Sequence, residues 1–195
     1  RLDECDEPLL RKVMAVYLGM ISYVDHLFGQ LMQALDETGL ADSTTVFMFS
    51  DHGDWGGDYG LVEKWPSALD DCLTHIPMIV RTPGGHAGHV VCEPIECFDI
   101  MPTTLALAGI EANHTHFAHS MLPQLHGAQG NPDRAVFAEG GYDAHEPHCF
   151  EGKDAPQDIG RSRSGIYWPK GLQQQERPDT VCRSAMVRTA THKLV

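Results

Sequence analysis

The chain has 195 residues, 42% of them hydrophobic and 21% charged, the proportions of an ordinary globular chain able to bury a sizeable core. Lys and Arg number 14 against 27 Asp and Glu, a formal charge of −13, which argues against nucleic acid or an anionic membrane as the main partner. An anionic small molecule stays compatible, because a bound cation or one lysine reverses the field of a single pocket.

In chain order, residues 8–38 carry apolar side chains at three- and four-residue steps, from Leu10 through Tyr17 and Val24 to Leu35. That spacing predicts one long amphipathic helix, with Pro8 in its first turn and Gly39 at its stop. Thr44–Phe49 reads as a strand apolar on both faces, as a central parallel strand covered by helices would be. Residues 50–75 form a long loop rich in Gly, Asp and Trp, a length that often signals function. Pro77–Arg81 is a second short strand, TPGGHAG a turn, and residues 89–97 a further strand. Asp99 precedes a helix through about Ala108, with Pro102 in its first turn and Gly109 ending it. Residues 111–133 are loop-rich, Arg134–Glu139 is a strand, and Ala185–Arg188 with Lys193–Val195 form a hairpin. Helices alternating with short apolar strands indicate an α/β sandwich with a mostly parallel sheet. No linker divides the chain, so residues 1–195 are one domain or part of one.

No apolar run approaches the roughly 18–20 residues of a membrane span. The chain opens on Arg1 without a secretory signal and ends on Lys193-Leu194-Val195 as if within a strand. It is therefore expected to be an internal piece of a longer protein, and its compartment, cytoplasmic or periplasmic/secreted, is not legible from the N-terminus. The cysteines at 5, 72, 92, 97, 149 and 182 form no CxxC pair and are expected to be free buried thiols.

The apolar run TTVFMF stops abruptly at Ser50-Asp51-His52-Gly53-Asp54. Ligands gather at the carboxyl ends of strands in parallel α/β sheets. A carboxylate followed by an imidazole suits a divalent cation, and Gly53 permits the turn that would aim both at one ion. A bare DHG tripeptide reads better as a polar turn, with Asp51 capping the loop and His52 on the surface.

The wider pattern is SDHGDWGGDYGLVEKW, with Lys64 thirteen residues beyond Asp51. ETGLADSTTVFMF precedes it, and THIPMIVRTPGG and FDIMPTTLALAGI follow. This order of blocks resembles the sulfatase family of the alkaline-phosphatase-like superfamily, over roughly residues 10–110 and more loosely 120–195. The resemblance implies an alkaline-phosphatase-like α/β/α sandwich, incomplete here, of which this chain is the C-terminal part of one catalytic domain. It implies that Asp51 and His52 are metal ligands and that Lys64 is a catalytic, substrate-binding lysine contacting an oxygen of the sulfate group. The implied ion is Ca2+, with Mn2+ or Zn2+ in some relatives. An early Asp pair, and a Cys or Ser oxidised to formylglycine within Cys/Ser-x-Pro/Ala-x-Arg, are expected upstream of Arg1. Here Cys72 is followed by Leu-Thr-His and Cys97 by Phe-Asp-Ile, so the fragment alone should be inactive. The implied reaction is hydrolysis of a small-molecule or carbohydrate sulfate ester. A phosphonate or phosphate monoester hydrolase on the same fold, and a non-catalytic sulfatase-like binding protein, stay open, as does the oligomeric state.

The sequence departs from the family pattern at Tyr59, where His is frequent, at Trp65-Pro66, where Gly is common, and at His75, where Arg is frequent. His145, His148 and Glu151 follow the AVFAEGG strand, and the two histidines are taken as candidate contacts to the alcohol portion of a substrate. His114, His116, His119 and His126 have a spacing that could bind a transition metal but read better as an exposed polar loop. Asp54 and Asp58 lack the ligand positions of a calcium loop and read as turn residues, Asp54 placed to support the pair. His26 is a surface or packing residue of the long helix. Arg161, Arg163 and Lys170 form a basic cluster too small for nucleic acid.

Overall fold

The computed structural model describes residues 6–143, 173–174 and 176–195. Helix α1 spans Glu7–Glu37. Asp6 caps it by accepting from the Leu9 N–H at 2.9 Å, an acceptor for one of the donors a helix start leaves open. Pro8 lies in the first turn, and Thr38 closes the helix with its Oγ1 on the Ala34 carbonyl at 2.7 Å. The predicted periodicity is real, but its stripe is only half covered: no α1 residue is buried, and Ile21, Val24 and Leu31 are each about half exposed.

Strand β1, Val46–Phe49, pairs with β2, Met78–Arg81. The ladder is antiparallel, Val46 opposite Arg81 and Phe49 opposite Met78. A second sheet has the order β3-β4-β5, from Val136–Gly140, Ser184–Arg188 and Lys193–Leu194. It too is antiparallel, with Val136 opposite Arg188 and Gly140 opposite Ser184. Parallel pairing among the described residues is confined to the single bridge Tyr142–Cys182. The predominantly parallel arrangement foreseen from the alternation of elements is thus not formed between these strands. Nor is β1 buried on both faces: Phe49 is exposed on β1, as Ile79 is on β2.

Between β1 and β2 the chain makes a one-turn helix α2, Asp71–Thr74, and after β2 come α3, Ile100–Leu107, and α4, Leu122–Leu125. The strand expected over residues 89–97 is not formed. The chain there runs irregularly into a 3-10 turn at Cys97–Asp99, because its carboxylates take backbone donors that a ladder would have used. Glu93 accepts the Gly130 N–H at 3.1 Å, and Glu96 accepts the Phe137 N–H at 2.7 Å. Pro94 between them has no N–H to give a ladder.

The buried apolar side chains include Trp55, Leu69, Leu73, Val136, Val181 and Met186. They come from the loop after β1, from α2, from the turn before β4, and from β3 and β4. Beside them lies a buried ionic cluster. Arg134 donates to both Asp99 oxygens at 2.6 and 3.0 Å and to Glu96 at 2.6 Å. Asp99 also accepts the N–H groups of Glu96 and His119, at 2.9 and 2.7 Å. The cysteines at 72, 92, 97 and 182 are free, as expected, but only Cys72 is even partly covered and the others are exposed.

Candidate functional site

The β1 ladder ends at Phe49, and the next residues turn out of the sheet. The Ser50 hydroxyl donates to the His52 carbonyl at 2.6 Å, and the His52 N–H donates to Asp51 Oδ1 at 3.0 Å. His52 Nδ1 lies 2.8 Å from the Gly53 carbonyl oxygen. A carbonyl can only accept, so Nδ1 carries the proton in this bond, and Nε2 keeps its lone pair. That Nε2 sits 3.5 Å from Asp51 Oδ2. A carboxylate oxygen and an imidazole lone pair therefore converge at the strand end, open to solvent on the Asp51 side. An N–H of a ligating imidazole held by a carbonyl is the usual way a metal-binding histidine is oriented. The donor set fits a divalent ion, and these two residues would supply part of its coordination. No group of three or more His, Cys, Asp or Glu able to hold a metal lies together among the described residues.

The Asp51 carboxyl is held below the usual carboxylate range foremost by the hydrogen bond from the His52 N–H, against an opposing effect of burial, with a lesser attraction from Lys64. Lys64 Nζ is 3.8 Å from Glu63 Oε1.

The loop between Asp51 and Lys64 is folded back on itself. Asp54 Oδ1 accepts from the N–H groups of Gly56 and Glu63, at 2.7 and 2.9 Å. The Trp55 N–H donates to the Glu63 carbonyl at 3.0 Å, and the buried Trp55 ring donates through Nε1 to Asp70 at 3.2 Å. Asp54 is accordingly a clamp that closes the loop on itself between the Asp51-His52 pair and Lys64, through Gly56 and Glu63. Asp58 is exposed, as expected of a turn residue.

Gly53 is needed for a reason that its place in the sequence does not reveal. Its φ is not positive; instead a Cβ there would stand 1.9 Å from the Cys72 carbonyl oxygen. Tyr59 takes φ 54° and is exposed, and His75 terminates α2. His145, His148 and Glu151 lie outside the described residues, as does the cluster of Arg161, Arg163 and Lys170. His26 pairs with Gln30 on the exposed helix surface at 3.1 Å. In the HTHFAH segment the rings of His114 and His116 are 5.9 Å apart, and His119 contributes its backbone N–H to Asp99. Among the described residues no helix is long and apolar enough to cross a membrane.

The sulfatase family model matches residues 3–110. Among curated proteins, arylsulfatase K of Danio rerio is 31% identical over 131 residues, 65% of this chain and 25% of that protein. The multifunctional alkaline phosphatase superfamily protein PehA of Trinickia caryophylli is 35% identical over 129 residues, 65% of this chain and 24% of that protein. The chain thus spans about a quarter of the length of these relatives. Among solved structures, the phosphonate monoester hydrolase SpPMH of Silicibacter pomeroyi superposes with a TM-score of 0.72 at 29% identity, over 95% of this chain and 33% of that one. A protein solved in complex with D-glucosamine-2-N,6-O-disulfate superposes with a TM-score of 0.66 at 23% identity, over 91% of this chain and 30% of that one, a likeness of fold alone. The antiparallel ladders seen here therefore belong to part of an alkaline-phosphatase-like α/β fold. With more than half of its residues inside the matched region, the chain belongs to the sulfatase family.

Proposed function

We propose that this chain supplies part of the metal site and an oxyanion-binding lysine to a hydrolase of sulfate esters. The observation that carries the reading is the convergence of Asp51 Oδ2 and His52 Nε2, 3.5 Å apart at the end of β1. Asp51 and His52 would hold a divalent ion, Ca2+ in this proposal, with Mn2+ or Zn2+ as the other candidates. When bound, the ion supplies charge stabilisation to the tetrahedral oxygens of the ester. Lys64 binds and neutralises a non-bridging oxygen as negative charge develops there. The nucleophile, a formylglycine in this proposal, would come from outside these residues. The substrate class is a small-molecule or carbohydrate sulfate ester, consistent with the arylsulfatase names among the relatives.

A second reading is favoured by the likeness to a phosphonate monoester hydrolase at 29% identity. Both chemistries place charge on tetrahedral oxyanions, so Asp51, His52 and Lys64 would serve either. Steady-state kinetics of the full-length protein on aryl sulfate, aryl phosphate and phosphonate monoesters separates them. The sulfatase reading expects the highest kcat/KM on the sulfate; equal or greater turnover of the phosphonate sinks it. A full-length protein that retains the metal but turns over none of these esters would be a non-catalytic binder.

A further inference from the structure

Lys64 is bracketed. On its upstream side Glu63 is tied by both backbone groups to Asp54 and Trp55, in the loop that carries the metal pair. On its downstream side the segment Trp65-Pro66-Ser67 is bonded to distant parts of the chain. The Trp65 indole donates through Nε1 to the Thr180 carbonyl at 2.6 Å, and the Ser67 hydroxyl donates to the same oxygen at 2.9 Å. The Ser184 hydroxyl donates to the Ser67 carbonyl at 2.8 Å, and the Gly141 N–H donates to the Pro66 carbonyl at 2.7 Å. The contact is close: a Cβ on Gly140 would stand 2.5 Å from the Pro66 oxygen. A turn closed by the Ala68 N–H on the Trp65 carbonyl, at 3.1 Å, keeps the segment compact.

We propose that Trp65 is a positioning residue for Lys64: its indole N–H, anchored on the Thr180 carbonyl in the 3-10 turn Pro178–Val181 that leads towards β4, fixes the backbone next to Lys64 and so sets where the ammonium stands. The assignment rests on the reading of Lys64 as the oxyanion-binding lysine. A lysine has a long flexible stem, and a group that must meet a developing charge gains most from a fixed base. Leu61, Val62 and Lys64 are exposed, so burial of their own side chains does not supply that base. The turn before β4 and the β4 strand supply it instead, through Trp65 on Thr180 and Ser184 on Ser67.

The test is a double-mutant cycle in the full-length protein on its best ester substrate. Trp65→Phe keeps the apolar ring and removes only the donor. It should lower kcat roughly tenfold, the scale on which lost orientation is felt, with KM, bound metal and Tm little changed. On a Lys64→Ala background the same substitution should change nothing further. Unchanged kcat in Trp65→Phe, or an equal loss on both backgrounds, overturns the positioning role. Wild-type kinetics of Lys64→Ala would overturn the functional reading of the lysine itself, and this assignment with it. Should Trp65→Phe not fold, Ser67→Ala removes the second donor to the Thr180 carbonyl and takes its place in the cycle. It too should lower kcat only where Lys64 is present, and an unchanged kcat or an equal loss on both backgrounds overturns the role in the same way.

Discussion

Gly53 donates its N–H to the Leu73 carbonyl at 2.8 Å while lying so close under Cys72 that a Cβ would stand 1.9 Å from that residue's carbonyl oxygen. The loop that leaves β1 is thereby pressed against α2, directly after the Asp51-His52 pair. Two backbones meet there, so neither can yield by a rotamer change. Gly53→Ala must move α2 or the pair, and overpacking of this kind costs about 1–3 kcal/mol. The expected outcome is a lower Tm together with poorer metal retention in the full-length protein. A Gly53→Ala protein with unchanged Tm and metal content would contradict the contact.

The Arg134 cluster predicts a larger loss. Asp99 is fully buried, and Arg134 and Glu96 are nearly so. Burial alone would raise the Asp99 carboxyl, but Arg134 and the N–H groups of His119 and Glu96 outweigh it and hold it low. Arg134→Met strands two buried carboxylates, and breaking such a pair costs about 3–5 kcal/mol. Urea unfolding should show this at neutral pH. The sign with pH follows from the lowered carboxyl. The stabilisation by ionised Asp99 is fully present above the unfolded value of about 3.9 and is lost as pH falls from there through the folded value. Wild-type stability should therefore decline over that acid range, and Asp99→Asn should reduce the slope. An identical slope in the two proteins would remove Asp99 from the titration.

Local signals carried much of this fold into the sequence. The α1 boundaries were legible because Pro8 and Gly39 are short-range punctuation, whereas the Asp6 cap shows only in the structure. Asp51 and His52 stood out as candidates because the apolar run of β1 stops at them, and their spacing to Lys64 within the wider pattern turned a polar turn into a candidate site. The strand expected at 89–97 fails because what removes it is long-range: Arg134 and the Phe137 N–H take Glu96, and the Gly130 N–H takes Glu93. The pairing sense of the sheets was hidden for a related reason, since alternation of helices and strands says nothing about which strands meet. Trp65 showed in the sequence only as a departure from a family pattern. Its partner, Thr180, lies far down the chain, and no spacing rule connects them.

Asp71 offers a contrast with Arg134. Its carboxylate meets Lys193 at 2.7 Å and Arg188 at 2.6 Å, joining α2 to the β4-β5 hairpin. The Lys193 hydrogen bond is the foremost cause holding its carboxyl low, with Arg188 adding to it. Yet about half of the Asp71 side chain is exposed, so solvent screens the attraction. Exposed pairs contribute about 0.2–1 kcal/mol, and Asp71→Asn should cost about that much. The loss should shrink at high salt, whereas that of Arg134→Met should not. A salt-independent loss of several kcal/mol would show the hairpin to be docked far more tightly through Asp71 than its exposure allows.

The roles of Asp51, His52 and Lys64 separate by one pair of measurements, metal content and turnover. Asp51→Asn keeps a donor oxygen but removes the charge, and His52→Ala removes the Nε2 lone pair beside it. Even loss of an outer-shell partner costs a metal site about 10–100-fold in affinity, so either substitution should cost at least the upper figure. Both proteins should lose bound metal and turnover together, and a chelator should reproduce the effect in the wild type. Lys64→Ala should differ. It removes a positive charge near Asp51, which can only favour the cation there, while taking away an oxyanion contact worth roughly a hundredfold or more in rate. Retained metal with lost turnover is thus the signature of Lys64, and lost metal with lost turnover that of the pair. Full metal content in Asp51→Asn would remove that carboxylate from the ion, whatever the activity shows.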